Sequence, residues 1–207
     1  MKKTLLIIFS ISVFQLIYCQ IDDDFSITNP KNYFGFYSNI GISRPIQFTP
    51  SDDVLIYHGR ESYSVGVKYL RLFSHTLKLE FGASLSKYKV RMETKDDYPI
   101  PNIEPFSETL STISIPILLR LSNFKNYFLS FGPLIEFDLP RGSEWILDTQ
   151  SGIGSTLSLG KEFSLKNITL EISPNLEIHS LIPFKVEDNK QRMLVFGIKS
   201  GINLIIK

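Results

Sequence analysis

The chain has little of what most function classes need. Its 207 residues hold one cysteine, Cys19, which excludes an internal disulfide framework and a zinc site built on cysteines. Net charge is nearly absent: 22 Lys and Arg stand against 21 Asp and Glu, so there is no cationic footprint for nucleic acid. Histidine is scarce, and His58, His75 and His179 do not cluster, so neither a metal site nor a cofactor is expected. No phosphate-binding glycine loop, zinc-protease motif or dinucleotide fingerprint occurs. Beyond residue 20 no apolar run approaches the ~20 residues of a spanning helix, and no stretch has convincing helical periodicity. With 43% apolar and 13% aromatic residues, the chain is still too hydrophobic to be disordered. Its length suits one domain.

What is present starts with a leader. Lys2 and Lys3 precede a mostly apolar stretch over 5–18, and a polar Ile21-Asp22-Asp23-Asp24 follows. That order is the pattern of a secretory signal over 1–19. A short periplasmic segment over 20–32 and one structured domain over 33–207 are then expected. Lipidation at Cys19 is disfavoured because the bulky Tyr18 stands where a small residue is needed.

From Pro30 onwards, apolar and polar residues alternate with period two. Eight strands are predicted, over 33–43, 62–73, 76–90, 109–122, 127–138, 150–163, 168–180 and 193–206. In the third, Leu77, Leu79, Phe81, Ala83 and Leu85 oppose Lys78, Glu80, Gly82 and Ser84. In the seventh, Ile168, Leu170, Ile172, Leu176 and Ile178 oppose Thr169, Glu171, Ser173, Asn175 and Glu177. Short connections alternate with long ones, and bacterial membrane barrels have short turns on one side and long loops on the other. An even number of strands puts both termini on the short-turn side. The predicted fold is all-β: an eight-stranded antiparallel up-and-down transmembrane β-barrel with short periplasmic turns and long extracellular loops.

Alternation fits a soluble barrel turned inside out equally well, so glycine placement decides. Ten of the twelve glycines fall on the polar faces, with Gly59 and Gly142 assigned to loops. Glycine weakens a strand and gives a solvated face nothing. It does make room in a narrow lumen shared with large charged side chains. The predicted lumen carries Lys68, Lys78, Arg120 and Lys199, with Glu80, Glu136, Glu162, Glu171 and Glu177. Unpaired buried charge costs several kcal/mol, so a charge network is expected. Tyr63, Tyr69, Tyr127, Phe137 and Phe163 are assigned to the membrane interfaces, and Lys161 is placed to snorkel. Pro116 and Pro133, on neighbouring strands beside Gly132, predict a bulge or bend.

Three segments carry more than periodicity. Ser114-Ile115-Pro116-Ile117-Leu118-Leu119-Arg120 resembles the E-I-P-L-L-L-K strand of the PorT-like outer-membrane β-barrel family of Bacteroidota-type bacteria. Phe131-Gly132-Pro133-Leu134-Ile135 resembles that family's G-G-P-Y-I signature, and Phe196-Gly197-Ile198-Lys199-Ser200-Gly201-Ile202 resembles its closing strand. The resemblance spans about residues 33–207. It implies a bacterial outer-membrane location, a barrel fold without a defined activity in most members, and an association with protein secretion for PorT itself.

Little chemistry is legible. Glu177 and His179 share a strand face and are spaced to hydrogen-bond, but Ser180 is expected on the opposite face, which makes a poor triad. The long loops offer a binding surface, with Phe48 in 44–61, Tyr98 and Phe106 in 91–108, and Trp145, the only tryptophan, in the third. The expected protein is a non-enzymatic, monomeric barrel in outer-membrane lipid. Its lumen is filled, and its role is structural or in docking or assembly with envelope or secretion proteins. A narrow solute pore, a lipid-modifying enzyme and a soluble lipocalin-like barrel with an apolar ligand are the alternatives.

Overall fold

In a computed structural model, the described residues are 32–47, 55–74, 76–94, 106–122, 126–140, 148–165, 167–185 and 191–206. They form eight strands: β1 (Asn32–Gln47), β2 (Leu55–Leu72), β3 (Leu77–Thr94), β4 (Phe106–Ser122), β5 (Tyr127–Asp138), β6 (Gly152–Leu165), β7 (Ile168–Pro183) and β8 (Gln191–Ile206). Each pairs antiparallel with its neighbours in sequence, and β1 pairs with β8 to close the barrel. Asn32 stands opposite Ile206, so both ends of the barrel lie on the side of the short turns. The expected segment 1–19 and residues 20–31 of the expected segment 20–32 lie outside the described residues, and Asn32 opens β1.

The apolar faces point outward. Ile40 is 63% exposed and Phe196 61%, whereas Arg120 is 0% and Lys68 1% exposed. A soluble barrel has the reverse arrangement, so the reading as an apolar-lined cavity in water is overturned. Closure gives every strand two partners and leaves no open edge, which is the condition for backbone polar groups to lie in hydrocarbon. Outward within the apolar band, the hydroxyls of Ser38 and Ser200 satisfy each other at 3.1 Å, and that of Ser155 reaches the Gly132 carbonyl at 3.5 Å.

Local chemistry sets the turns. Between β2 and β3, the Ser74 hydroxyl accepts the Leu77 amide at 3.0 Å and the Thr76 amide at 3.3 Å. Asn126, just before β5, has φ of 63°, a left-handed conformation that asparagine tolerates better than most residues. The strands outrun their predicted bounds on the loop side, where β2 begins at Leu55 rather than 62 and β3 runs to Thr94 rather than 90. Much of the predicted loops 44–61 and 91–108 is therefore strand, because charged residues on the outward face there erase the alternation. Gly59 belongs to β2, beside a register shift between Gly59 and Ser62, rather than to a loop. Its α-hydrogen side abuts the Ser43 carbonyl, and a Cβ there would come within 1.5 Å of that oxygen.

Pro116 and Pro133 interrupt pairing between β4 and β5 without shifting register. β4 and β5 pair at Pro116–Leu134 and again at Leu119–Phe131, an equal step on both strands. The bulges lie elsewhere, at Gly59/Ser62 and opposite Ile153/Ser155.

Candidate functional site

The lumen holds nearly all of the buried chemistry, arranged in tiers along the barrel. The turn-side tier is ionic. Arg120 on β4 donates from Nη1 to Glu80 at 3.2 Å, and Nη2 lies 2.8 Å from both Glu171 and Glu162. Lys78 reaches Glu162 at 3.0 Å, Lys199 reaches Glu80 at 3.0 Å, and Lys68 pairs with Glu171. Asn203 adds an amide donor to Glu171 at 3.1 Å. This network joins six strands through side chains alone. Four cations face three carboxylates, so each carboxylate is shared.

Two inward aromatics complete the tier. The Phe128 ring lies 3.5 Å below the Arg120 guanidinium, and Lys199 stands 4.2 Å over the Tyr37 ring. Phe128 stands opposite Gly160, where a Cβ would meet its Cζ at 2.5 Å. Tyr37 pairs with Gly66 on one side and Gly201 on the other. Glycine thus makes room for both the rings and the charges.

The middle tier is smaller. Glu136 does not join the ionic network. It bonds His179 Nδ1 and accepts the Ser114 hydroxyl at 3.0 Å and the Ser180 amide at 3.3 Å. Glu177 lies 3.7 Å from His179 Nε2, accepts from the Asn175 amide at 2.8 Å, and is a looser neighbour than the spacing implied. Ser180 is a correction, because it is fully buried rather than facing out. A bulge in β7, marked by φ of 49° at Ser180, turns two successive residues inward. Its hydroxyl donates to the Ser151 carbonyl at 3.2 Å. A void of about 10 Å³, the room of a single water, adjoins this tier and is lined by Ser64, Ser86, Ser114, Thr156 and Glu177.

The loop-side tier is built on an apolar cluster, with Glu108, Asp148 and Arg192 also buried at that end. Tyr88, Val90, Leu110, Met193 and Val195 form one buried cluster, with Tyr57 packed against it. Tyr88 also meets the His179 ring, centroid to centroid at 4.9 Å. Residues 148–151 tie this end together. Gln150 donates to the Asp148 and Gln191 carbonyls at 3.0 and 3.3 Å and accepts the Met193 amide at 3.0 Å. Asp148 accepts the Gln191 amide at 2.8 Å. Sequence reasoning missed this plug and its polar tie. The signal was there: carrying the inward phase of β3, β4 and β8 loopward reaches Tyr88, Val90, Leu110, Val195 and Met193.

The outward aromatics are placed unevenly. Tyr63, Tyr127, Phe137 and Phe163 are exposed, whereas Tyr69 is half-buried. Tyr63 sits mid-strand in β2, level with Lys87 on β3, rather than near a strand end. Lys161 lies 5.2 Å over the Tyr127 ring and 5.4 Å from that of Phe163. Of the loop candidates, Phe48, Tyr98 and Trp145 fall outside the described residues; Phe106 opens β4. Among the described residues, no group of three or more His, Cys, Asp and Glu side chains is placed to hold a metal ion.

A closed eight-stranded antiparallel barrel, apolar without and charged within, leaves one architecture. The fold is that of a small outer-membrane β-barrel. Its match to the outer membrane protein OprG from Pseudomonas aeruginosa has a TM-score of 0.56 at 9% identity, covering 85% of this chain and 96% of that one. Neisserial surface protein A matches with a TM-score of 0.44 at 13% identity over 83% of this chain and 96% of that one. The attachment invasion locus protein Ail of Yersinia pestis matches with a TM-score of 0.43 at 11% identity, over 84% and 99%. No protein-family model matches the barrel, and neither does any curated protein sequence.

Proposed function

We propose that the protein is a non-enzymatic, non-conducting barrel of the bacterial outer membrane that serves as a membrane-held scaffold for docking or assembly. The observation that carries this reading is the filled lumen. An ionic network, a Glu136–His179 cluster and an apolar plug succeed one another along it. A water path needs a continuous polar route, and the plug side chains Val90, Leu110 and Val195 are fully buried. His179 is enclosed as well, which supports a structural role for its pairing with Glu136 and Glu177.

The outward apolar face supports a lipid environment, and the resemblance of 114–120, 131–135 and 196–202 to PorT-like strands supports the finer reading of a secretion-associated partner. Phe48, Tyr98 and Trp145, with Phe106 at the loop end of β4, are the residues to which we assign docking. The test is single-channel recording of the purified barrel in a planar bilayer. No stepwise conductance is expected, and stable open levels would overturn the filled-lumen reading in favour of a narrow pore. Boiled and unboiled samples run side by side on a gel check that the recorded protein is a folded barrel.

A further inference from the structure

The outside of the barrel differs from one wall to the other. On the loop side of β5 to β8 the outward residues are apolar, including Phe137, Ile153, Ile182 and Phe196, all exposed. On β1 to β3 they are charged. β2 and β3 are the longest strands at 18 residues each, whereas β5 has 12. The extra length carries the β2–β3 hairpin past the apolar band. Among the described side chains, Ile42, Tyr63 and Leu85 are the last exposed apolar residues on the three strands. Level with them or just beyond stand Arg44, Arg60, Lys87, Lys89 and Arg91, against two carboxylates, Glu61 and Glu93.

The carboxylates are engaged. Glu61 bonds Lys89 at 3.1 Å and Glu93 bonds Arg91 at 2.7 Å. Arg44, Arg60 and Lys87 have no carboxylate within salt-bridge distance among the described residues. They share one wall: the Arg44 backbone packs on Gly59, next to Arg60, and Lys87 faces Tyr63 across the β2–β3 ladder. A cation row directly above an apolar band stands at the depth of lipid headgroups, and the complementary charge at that depth is phosphate. Positions this exposed carry no structural demand for positive charge.

We propose that this wall is a lateral seat for the phosphate groups of outer-leaflet lipid headgroups, with Arg44, Arg60 and Lys87 as the binding cations. Glu61 and Glu93 orient Lys89 and Arg91 beside them. The inference rests on the membrane reading above, with the long loops on the outer-leaflet side.

The experiment is native mass spectrometry of the folded barrel in neutral detergent, titrated with a bis-phosphorylated glucosamine-disaccharide lipid and with its dephosphorylated form. The native protein is expected to bind the phosphorylated lipid at least tenfold more tightly. A near-surface cation is worth roughly fivefold, so Lys87→Gln weakens binding by about that factor. The triple variant Arg44→Gln, Arg60→Gln, Lys87→Gln removes the preference. Lys185→Gln, an exposed cation after β7, leaves it intact. Equal binding of the two lipids, a preference that survives the triple substitution, or displacement by millimolar inorganic phosphate would each overturn the proposal. A protein that stays monomeric and folded without detergent defeats the membrane reading itself, which separates the two failures.

Discussion

The two ends of the lumen are filled by opposite means. At the turn side, Arg120, Lys68, Lys78 and Lys199 interlock with Glu80, Glu162 and Glu171. At the loop side, Tyr88, Val90, Leu110, Met193 and Val195 form an apolar cluster, with Glu108 buried directly across from Val90. The two ends differ in tolerance. An ionic layer in low dielectric depends on completeness, since each group removed leaves its partners charged and dry. An apolar layer depends on volume, and a removed methyl group costs in proportion to the cavity left.

That contrast is testable by substitution, read as the urea midpoint of unfolding in detergent micelles. Arg120→Met is expected to have the largest effect, about 3–5 kcal/mol, the range for breaking a buried pair, because it takes one cation from each of Glu80, Glu162 and Glu171 at once and leaves each with a single lysine. Adding Glu171→Gln to it should cost further stability, because the buried Lys68 then loses its carboxylate. A double variant as stable as the single one would show that packing against Phe128, rather than charge, sets the value of Arg120. Leu110→Ala at the apolar end should cost about 2–5 kcal/mol, with no rescue from any charge substitution. Gly160→Ala tests the space around Phe128 and should cost about 1–3 kcal/mol by overpacking; a neutral result would mean the ring has room to move. Lys89→Ala, at an exposed pair outside the lumen, should leave the midpoint unchanged at any salt concentration. A clear loss there would extend the comparison from the lumen to the outer wall.

Much of the architecture is legible in the chain. The eight strands, their pairing order and their inward faces follow from alternation and from glycine on the polar side. The inward phase on β4 places Arg120, Pro116 and Ser114 together with the apolar Leu118. What alternation misses is where a strand ends once charges appear on its outer face. Arg44, His58 and Arg60 read as loop residues for that reason, although all three lie in strands. Alternation also misses a bulge, since the two extra residues that β7 carries between Ile178 and Ile182 interrupt the alternation without changing composition. Ser180 therefore reads as outward although it is buried.

Partner choice was the least legible part of the site. Glu177, two residues from His179, is the obvious carboxylate by spacing, yet Glu136 on β5 is the one bonded to the imidazole. Lys199 finds Glu80 across 119 residues of sequence, and Lys68 finds Glu171 across 103.

The sequence by itself determined the period of the strands, the face each side chain takes and the presence of charge inside. Those are local properties, set by a backbone that turns successive side chains to opposite sides. Only the tertiary structure decided which carboxylate meets which cation, where the lumen is plugged and which wall rises above the apolar band. Those depend on strand tilt, stagger and closure, and closure brings together groups that no local pattern relates.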